Sequence, residues 1–426
     1  MKKVLVTLLI VLMAFSALFA QGKEEVAPTG KRTLRLSAES WQISKIFLEH
    51  AAQEFEAAHP DVDVEIITLA DQTVLANYII DWSKGNTETD LVFLDGGYLS
   101  KTYAAQDLIY DFEKDLKFFD DFPKSNFQPG ALGTGVIEGA QVCLPAIYEV
   151  YGVSINTAMF KEAGLLDEKG NPLPMKTWDD FYNFAEKLTK KDTNGKVTQV
   201  GASVQFGNNL ASIIGGTVIA QFGHCTTEDG YTYDIDNPEM RHIVDLWKKG
   251  VENGYFSTAT FVDNAGGRNG FKAGQIAMCY EAAGRWMEAL STLGAESVSL
   301  VEIPGGQGTC CFGCQMAIPR ASKNADLAVQ FIKEALYGEY CQTNAFTTYG
   351  KMSVIKTYFD KALEQTPLWN NIADSMNKAV NIPEWEEQAK WLKGLNVIFQ
   401  EGLVNPKLTG SDIVDQMVAL SNSLKK

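Results

Sequence analysis

Phe55-Glu-Ala-Ala-His-Pro-Asp-Val-Asp-Val64 decides how this chain folds. Upstream of it, Ile43, Phe47, Ala51 and Phe55 recur at helical spacing along one face. His59-Pro60 ends that helix, because the residue before a proline avoids the helical region. Val62, Val64 and Ile66 then alternate as a strand, and Thr33-Leu-Arg-Leu-Ser37 alternates the same way ahead of the helix. Strand, helix and strand in so short a stretch predict α/β layers, with helices packed on the faces of a sheet.

The rhythm continues outward from that unit. Asp90 to Leu94 is a short apolar strand that runs into Asp95-Gly-Gly97, a loop signal. Gln141 to Pro145 leads into a strand from Val150 to Ile155. Thr177 can cap a helix with Asp180 reaching back to it, and Phe181, Phe184, Ala185 and Leu188 line one face of that helix. Asp192-Thr-Asn-Gly-Lys196 reads as an Asn-Gly turn rather than a calcium loop, whose further ligand positions are missing. A strand from Gln275 to Tyr280 precedes Gly284-Arg-Trp286. Ser322-Lys-Asn324 opens a helix with Leu327, Phe331, Ile332 and Ala335 on its buried face, and helical patterns dominate from Tyr358 onward.

The start of the chain reads as an export signal over residues 1–22. Lys2 and Lys3 precede an apolar run from Val4 to Ala20, and Ala20-Gln-Gly22 fits a small-x-small cleavage site. Residues 23–31 read as a flexible leader. No cysteine precedes Cys143, so no lipid-anchored amino terminus is expected, and a periplasmic location follows. Losing the two lysines takes the formal charge from −16 to −18, which argues against nucleic acid as a partner. About 400 residues remain, more than one core accommodates, so two domains are expected. The seven cysteines are an odd number, leaving at least one thiol free even in an oxidising compartment.

Five segments in fixed order carry a resemblance. They are Phe55 to Val64; Leu144-Pro145 with Tyr151-Gly-Val-Ser-Ile-Asn156 and Phe160-Lys-Glu-Ala-Gly-Leu165; Pro174 to Phe181; Phe271 to Met278 with Gly284-Arg-Trp286; and Ile318 to Asn324. Together they resemble the extracellular solute-binding proteins of the family-1 type, the group that includes maltose-binding protein. Ile155 stands where that family usually has tyrosine. The resemblance implies a two-lobed periplasmic-binding-protein fold of the type II kind, with an interlobe cleft and hinge crossings near 144–151, 310–313 and 347–351. Lobe 1 would take residues 32–147 plus 312–348, and lobe 2 residues 148–311 plus 349–426. It implies a monomeric, non-catalytic receptor without cofactor or metal. Such a receptor captures a mono- or oligosaccharide and delivers it to the permease of an ABC importer.

A sugar presents apolar ring faces and hydroxyl edges, so its receptor needs aromatic planes together with carboxylates or amides. Trp286 is the first candidate for stacking, the alternative being a core tryptophan; Arg285 and Gly284 beside it either meet hydroxyls or lie in solvent and turn. Glu39 and Trp41 follow the first strand, where a cleft is expected; covering the next helix is the other reading of Trp41. Asp95 either accepts ligand hydroxyls or caps a helix. Tyr148 and Glu149 sit at the first crossing, with a plain hinge surface charge as the other reading of Glu149. Phe206 and Asn208 follow a strand; Tyr349 and Gly350 lie at the last crossing; Trp385 lies in the helical tail, where core packing competes with ligand contact. The run Cys310-Cys-Phe-Gly-Cys314 reads as structural thiols on a crossing strand, since zinc sites bring a second ligand pair.

Two other classes stay open at this level. An exported carbohydrate-active enzyme would need two carboxylates across a scissile bond, which 53 acidic residues can always supply on paper. No Gly-x-Ser-x-Gly elbow, His-Glu-x-x-His helix or phosphate-binding glycine loop occurs. The same fold could also hold a polyamine, an iron chelate or a phosphodiester.

Overall fold

The computed structural model describes residues 30–96, 99–128, 130–207, 210–230, 232–382 and 387–425. The expected export signal, nearly all of the leader, Gly97, Asn208 and Trp385 lie outside the described residues.

The opening βαβ unit forms as its pattern dictates. Strand β1 (Arg32–Glu39) buries Leu34, Leu36 and Ala38 and pairs in parallel with β2 (Val62–Leu69), Leu34 opposite Val64. The intervening helix is broken, unlike the single helix that the spacing predicts. Helix α1 (Ser40–Lys45) stops before Phe47, which adopts a left-handed backbone with φ of 59°, and α2 (Leu48–Ala58) restarts after it. The Phe47 ring packs edge-on against Tyr340 and tilted against Tyr349, contacts from a distant helix that local periodicity cannot reveal. His59-Pro60 closes α2 as expected.

Strand β3 (Leu91–Asp95) pairs with β1. Strand β4 (Leu144–Asn156) is longer than its pattern suggested and buried almost throughout. Helix α3 (Trp178–Leu188) begins with the predicted reciprocal cap between Thr177 and Asp180. Strand β5 (Val197–Val204) leads to α4 (Leu210–Phe222), which is apolar all round and therefore buried, and α5 (Pro238–Glu252) follows. Strand β6 (Ile276–Ala282), helix α6 (Arg285–Leu293), β7 (Val298–Val301) and β8 (Cys310–Ala317) complete the sheet. Helices α7 (Glu339–Tyr349), α8 (Gln388–Val404) and α9 (Gly410–Leu424) close the chain.

The sheet runs β2-β1-β3-β8-β4-β6-β5, with β7 also on β4. β8 is antiparallel to both β3 and β4, and β4 is antiparallel to β6, so β4 changes partners along its length. One core draws on Leu34, Phe55, Phe93, Met316 and Phe331. Another draws on Trp178, Phe181, Trp247, Tyr280 and Trp391, the last donating its indole N–H to Ser421 at 2.9 Å. A third group, including Trp286, Phe346 and Trp369, lies beside it, and Tyr148 packs against both this group and the first core. All seven cysteines are buried, and Cys225, Cys279, Cys310, Cys311, Cys314 and Cys341 are free thiols.

Candidate functional site

Strand register builds one continuous face where β3, β8 and β4 meet. Cys314 lies opposite Asp95, and Phe312 opposite Glu149. Opposed residues share a face of a sheet, as do residues two apart on one strand. Asp95, Cys314, Phe312 and Glu149 therefore project from the same side. Gly96 donates its N–H to the Gly313 carbonyl at 2.9 Å, which holds the β3 turn against β8. Gly96 has φ of 61°, and a Cβ there would fall 2.3 Å from Phe312 Cε2, so only glycine fits under that ring.

The end of β1 is tied into the same face. Glu39 and Gln42 form a capping box at the start of α1, and the Glu39 N–H donates to Gln42 Oε1 at 2.8 Å. Gln42 is buried, and its Nε2 donates to Cys314 Sγ at 3.3 Å. Gln72 donates to Glu39 Oε1 at 2.6 Å and accepts the Asp95 N–H at 2.9 Å. Neither Gln42 nor Gln72 stands out in the sequence; a single glutamine in a short helix carries no pattern of its own.

Charges converge beside this face. Lys351 and Glu149 form a buried ion pair, with side chains 1% and 8% exposed, and the Lys351 ammonium sits 5.2 Å from the centre of the Trp41 ring. Glu149 is thus no surface charge, as one of its two readings had it. Arg285 donates to Glu288 at 2.6 Å. Lys45 of α1 pairs with the same carboxylate, joining elements of two different cores, and also lies over the Tyr349 ring. Arg285 is therefore engaged rather than solvated.

These neighbours set the protonation of the site. Burial, followed by the Glu39 and Glu149 carboxylates, pushes the Asp95 pKa up to about 7. Burial acts to raise Glu149 as well, but Lys351, Arg285 and Lys45 outweigh it and hold that carboxyl below its usual range. Burial depresses the Lys351 ammonium, which Glu149 only partly offsets. Glu288, despite its own burial, is drawn down to about 2 by Arg285 and Lys45.

Other expected residues are packed against their neighbours. Trp286 is 2% exposed, with its ring 6.0 Å from that of Trp369. Phe206 is fully buried among Trp247, Phe261 and Phe399. In this structure neither ring presents an open side. Tyr148 stacks on Phe359. Gly284 and Gly350 touch each other: a Cβ on Gly284 would lie 2.8 Å from the Gly350 carbonyl oxygen, and Gly350, at φ of 64°, ends α7 and sets Lys351 in place.

Solved structures superpose on nearly the whole chain. The GacH receptor of Streptomyces glaucescens, described unliganded and with acarbose, is 15% identical; the match covers 92% of this chain and 98% of that one, with a TM-score of 0.76. Maltose-bound MalE3 of T. maritima is 16% identical, covering 92% and 100%, with a TM-score of 0.75. The ABC substrate-binding protein Lmo0181 of Listeria monocytogenes, in complex with cycloalternan, is 18% identical, covering 92% and 99%, with a TM-score of 0.74. These likenesses show a maltose-binding-protein-like periplasmic-receptor fold. No curated protein matches the chain by sequence. Among the described residues, no helix is long and apolar enough to cross a membrane. A family described as bacterial extracellular solute-binding protein matches residues 50–371, and the chain belongs to that family, the non-catalytic solute-binding components of ABC importers.

Proposed function

We propose that this receptor captures a neutral carbohydrate on the face shared by Asp95, Phe312 and Glu149 and passes it to a membrane permease. The carrying observation is the pairing of charge around that face. Lys45, Arg285 and Lys351 are each bound to Glu149 or Glu288, so none of these three cations stands ready for a phosphodiester. Asp95, with a pKa near 7, can donate to one hydroxyl or accept from another, which suits a polyol edge. Glu39 and the glutamines 42 and 72 supply further polar groups held in place by hydrogen bonds. The structures it resembles were solved with acarbose, maltose and cycloalternan, which points the same way.

The lobes of this reading are residues 32–147 plus 312–348 and residues 148–311 plus 349–426. The mature chain acts in the periplasm as a monomer after loss of residues 1–22. Ligand favours closure to the extent that it binds the closed form better than the open one. A thermal-shift screen of purified protein over mono- and oligosaccharides tests this, with spermidine, ferric citrate and a glycerophosphodiester as comparators. A sugar should raise the melting temperature and bind one to one by calorimetry, without turnover. A shift with a comparator and none with any sugar would refute the carbohydrate assignment.

A further inference from the structure

The sequence points first to Trp286 for the aromatic plane that a sugar needs, but that ring is 2% exposed here. We infer that Phe312 is the stacking platform of the ligand site, and that it seats the apolar C–H face of one pyranose ring between the Asp95 and Glu149 carboxylates. This rests on the carbohydrate reading and goes further by naming the residue that selects a ring-shaped ligand.

Four observations converge. Within the run Cys310-Cys-Phe-Gly-Cys314, Phe312 is the only bulky side chain. It is half-buried, whereas Trp286 and Phe206 are 2% and 0% exposed. Other aromatic rings nearby are occupied: Trp41 lies under Lys351, Tyr349 under Lys45, and Tyr148 against Phe359. Phe312 packs against the core that holds Trp178 and Trp247, but among the described residues no second ring stacks on it. Finally, the ring is preorganised, its edge resting on Gly96 where no Cβ could fit, with the Gly96 N–H fastened to the Gly313 carbonyl.

The arrangement matches the needs of a sugar. A flat apolar surface meets the C–H face, while the carboxylates on the two neighbouring strands, set on the same side by register, accept hydroxyls at opposite edges. A compact chelate would gain little from that platform. Phe312 therefore favours cyclic polyols.

The experiment uses the full mature chain, a panel of mono- and oligosaccharides that includes maltose, mannotriose and tagatose, and the variants Phe312→Leu and Phe312→Tyr. Wild type should bind at least one panel sugar. Phe312→Leu should lose affinity about tenfold or more, as buried aromatic anchors do, while Phe312→Tyr should stay within about threefold. In chain labelled with fluorophenylalanine, the resonance missing from Phe312→Tyr assigns Phe312, and it should shift when that sugar is added to wild type. This readout holds even where Phe312→Leu fails to fold. An unmoved resonance, or Phe312→Leu binding like wild type, overturns the platform and leaves the carbohydrate reading standing. Failure of wild type to bind any panel sugar overturns both.

Discussion

Replacing Lys351 with methionine should destabilise the protein in a way that depends on pH. Lys351 and Glu149 have side chains 1% and 8% exposed, so removing the ammonium leaves a carboxylate in a nearly dry site. Breaking a buried pair on one side costs about 3–5 kcal/mol. Glu149 keeps Arg285 and Lys45 as opposite charges, so the lower end of that range, about 3 kcal/mol, is expected here. With an unfolding entropy of about 2.1 cal/mol/K per residue over roughly 400 residues, this corresponds to a melting temperature lower by about 4 °C. In wild type the Glu149 pKa is held low, so its contribution is present above the unfolded carboxyl pKa and fades as pH falls through the folded value. In Lys351→Met the carboxyl titrates higher, so the deficit should be largest near pH 8 and small near about pH 4, where the carboxyl is neutral. Adding Glu149→Gln should recover at least half of the loss, because the stranded charge is gone. Differential scanning calorimetry across pH reads wild type and both variants. A single variant melting within about 1 °C of wild type near pH 8, or a double variant no better than the single, would refute the reasoning.

Asp95→Asn should stabilise the protein increasingly as pH rises from the ordinary carboxyl pKa of 3.8 to about 7, and by a constant amount above that. The folded carboxyl holds its proton up to about pH 7 whereas the unfolded one releases it near 3.8, so its favourable contribution is complete only below 3.8 and is lost progressively up to about 7; a melting-temperature profile that does not part from wild type across that window would contradict this. Glu288→Gln removes the carboxylate that Lys45 and Arg285 share between two cores, and small-angle scattering of the ligand-free protein should then show a more open particle; an unchanged profile would assign the contact no part in closure. Trp286→Ala should cost about 3–5 kcal/mol of stability, as large-to-small changes of buried aromatics do. Lost sugar affinity at an unchanged melting temperature would instead return Trp286 to the ligand site.

The sequence made local features legible and hid the distant ones. The Thr177 cap, the stop at His59-Pro60 and the strand ending in Asp95 are each determined within a few residues, and each is found where the pattern puts it. Glu149 was nominated from its place at a crossing, but its partner Lys351 lies 202 positions away and no spacing rule connects them. Phe312 escaped notice because its neighbours Asp95 and Glu149 are brought to it only by the register of three strands. Phe206 and Trp286 looked available since both follow strands. Their rings are covered by Phe399 and Trp369, which come from far along the chain. The left-handed Phe47 is a further example, imposed by rings on α7 rather than by its own neighbours.

The seven buried thiols bear on how the protein endures in its surroundings. While the fold is intact they are shielded, and burial pushes those of Cys225, Cys311 and Cys341 up to about 12, far from the reactive thiolate. Once the chain opens, Cys310, Cys311 and Cys314 become neighbours on a mobile strand, free to cross-link with one another or with other molecules under an oxidant. Opening then becomes a one-way event, and the lifetime of the molecule outside a reducing environment is set by how fast it unfolds rather than by its equilibrium stability.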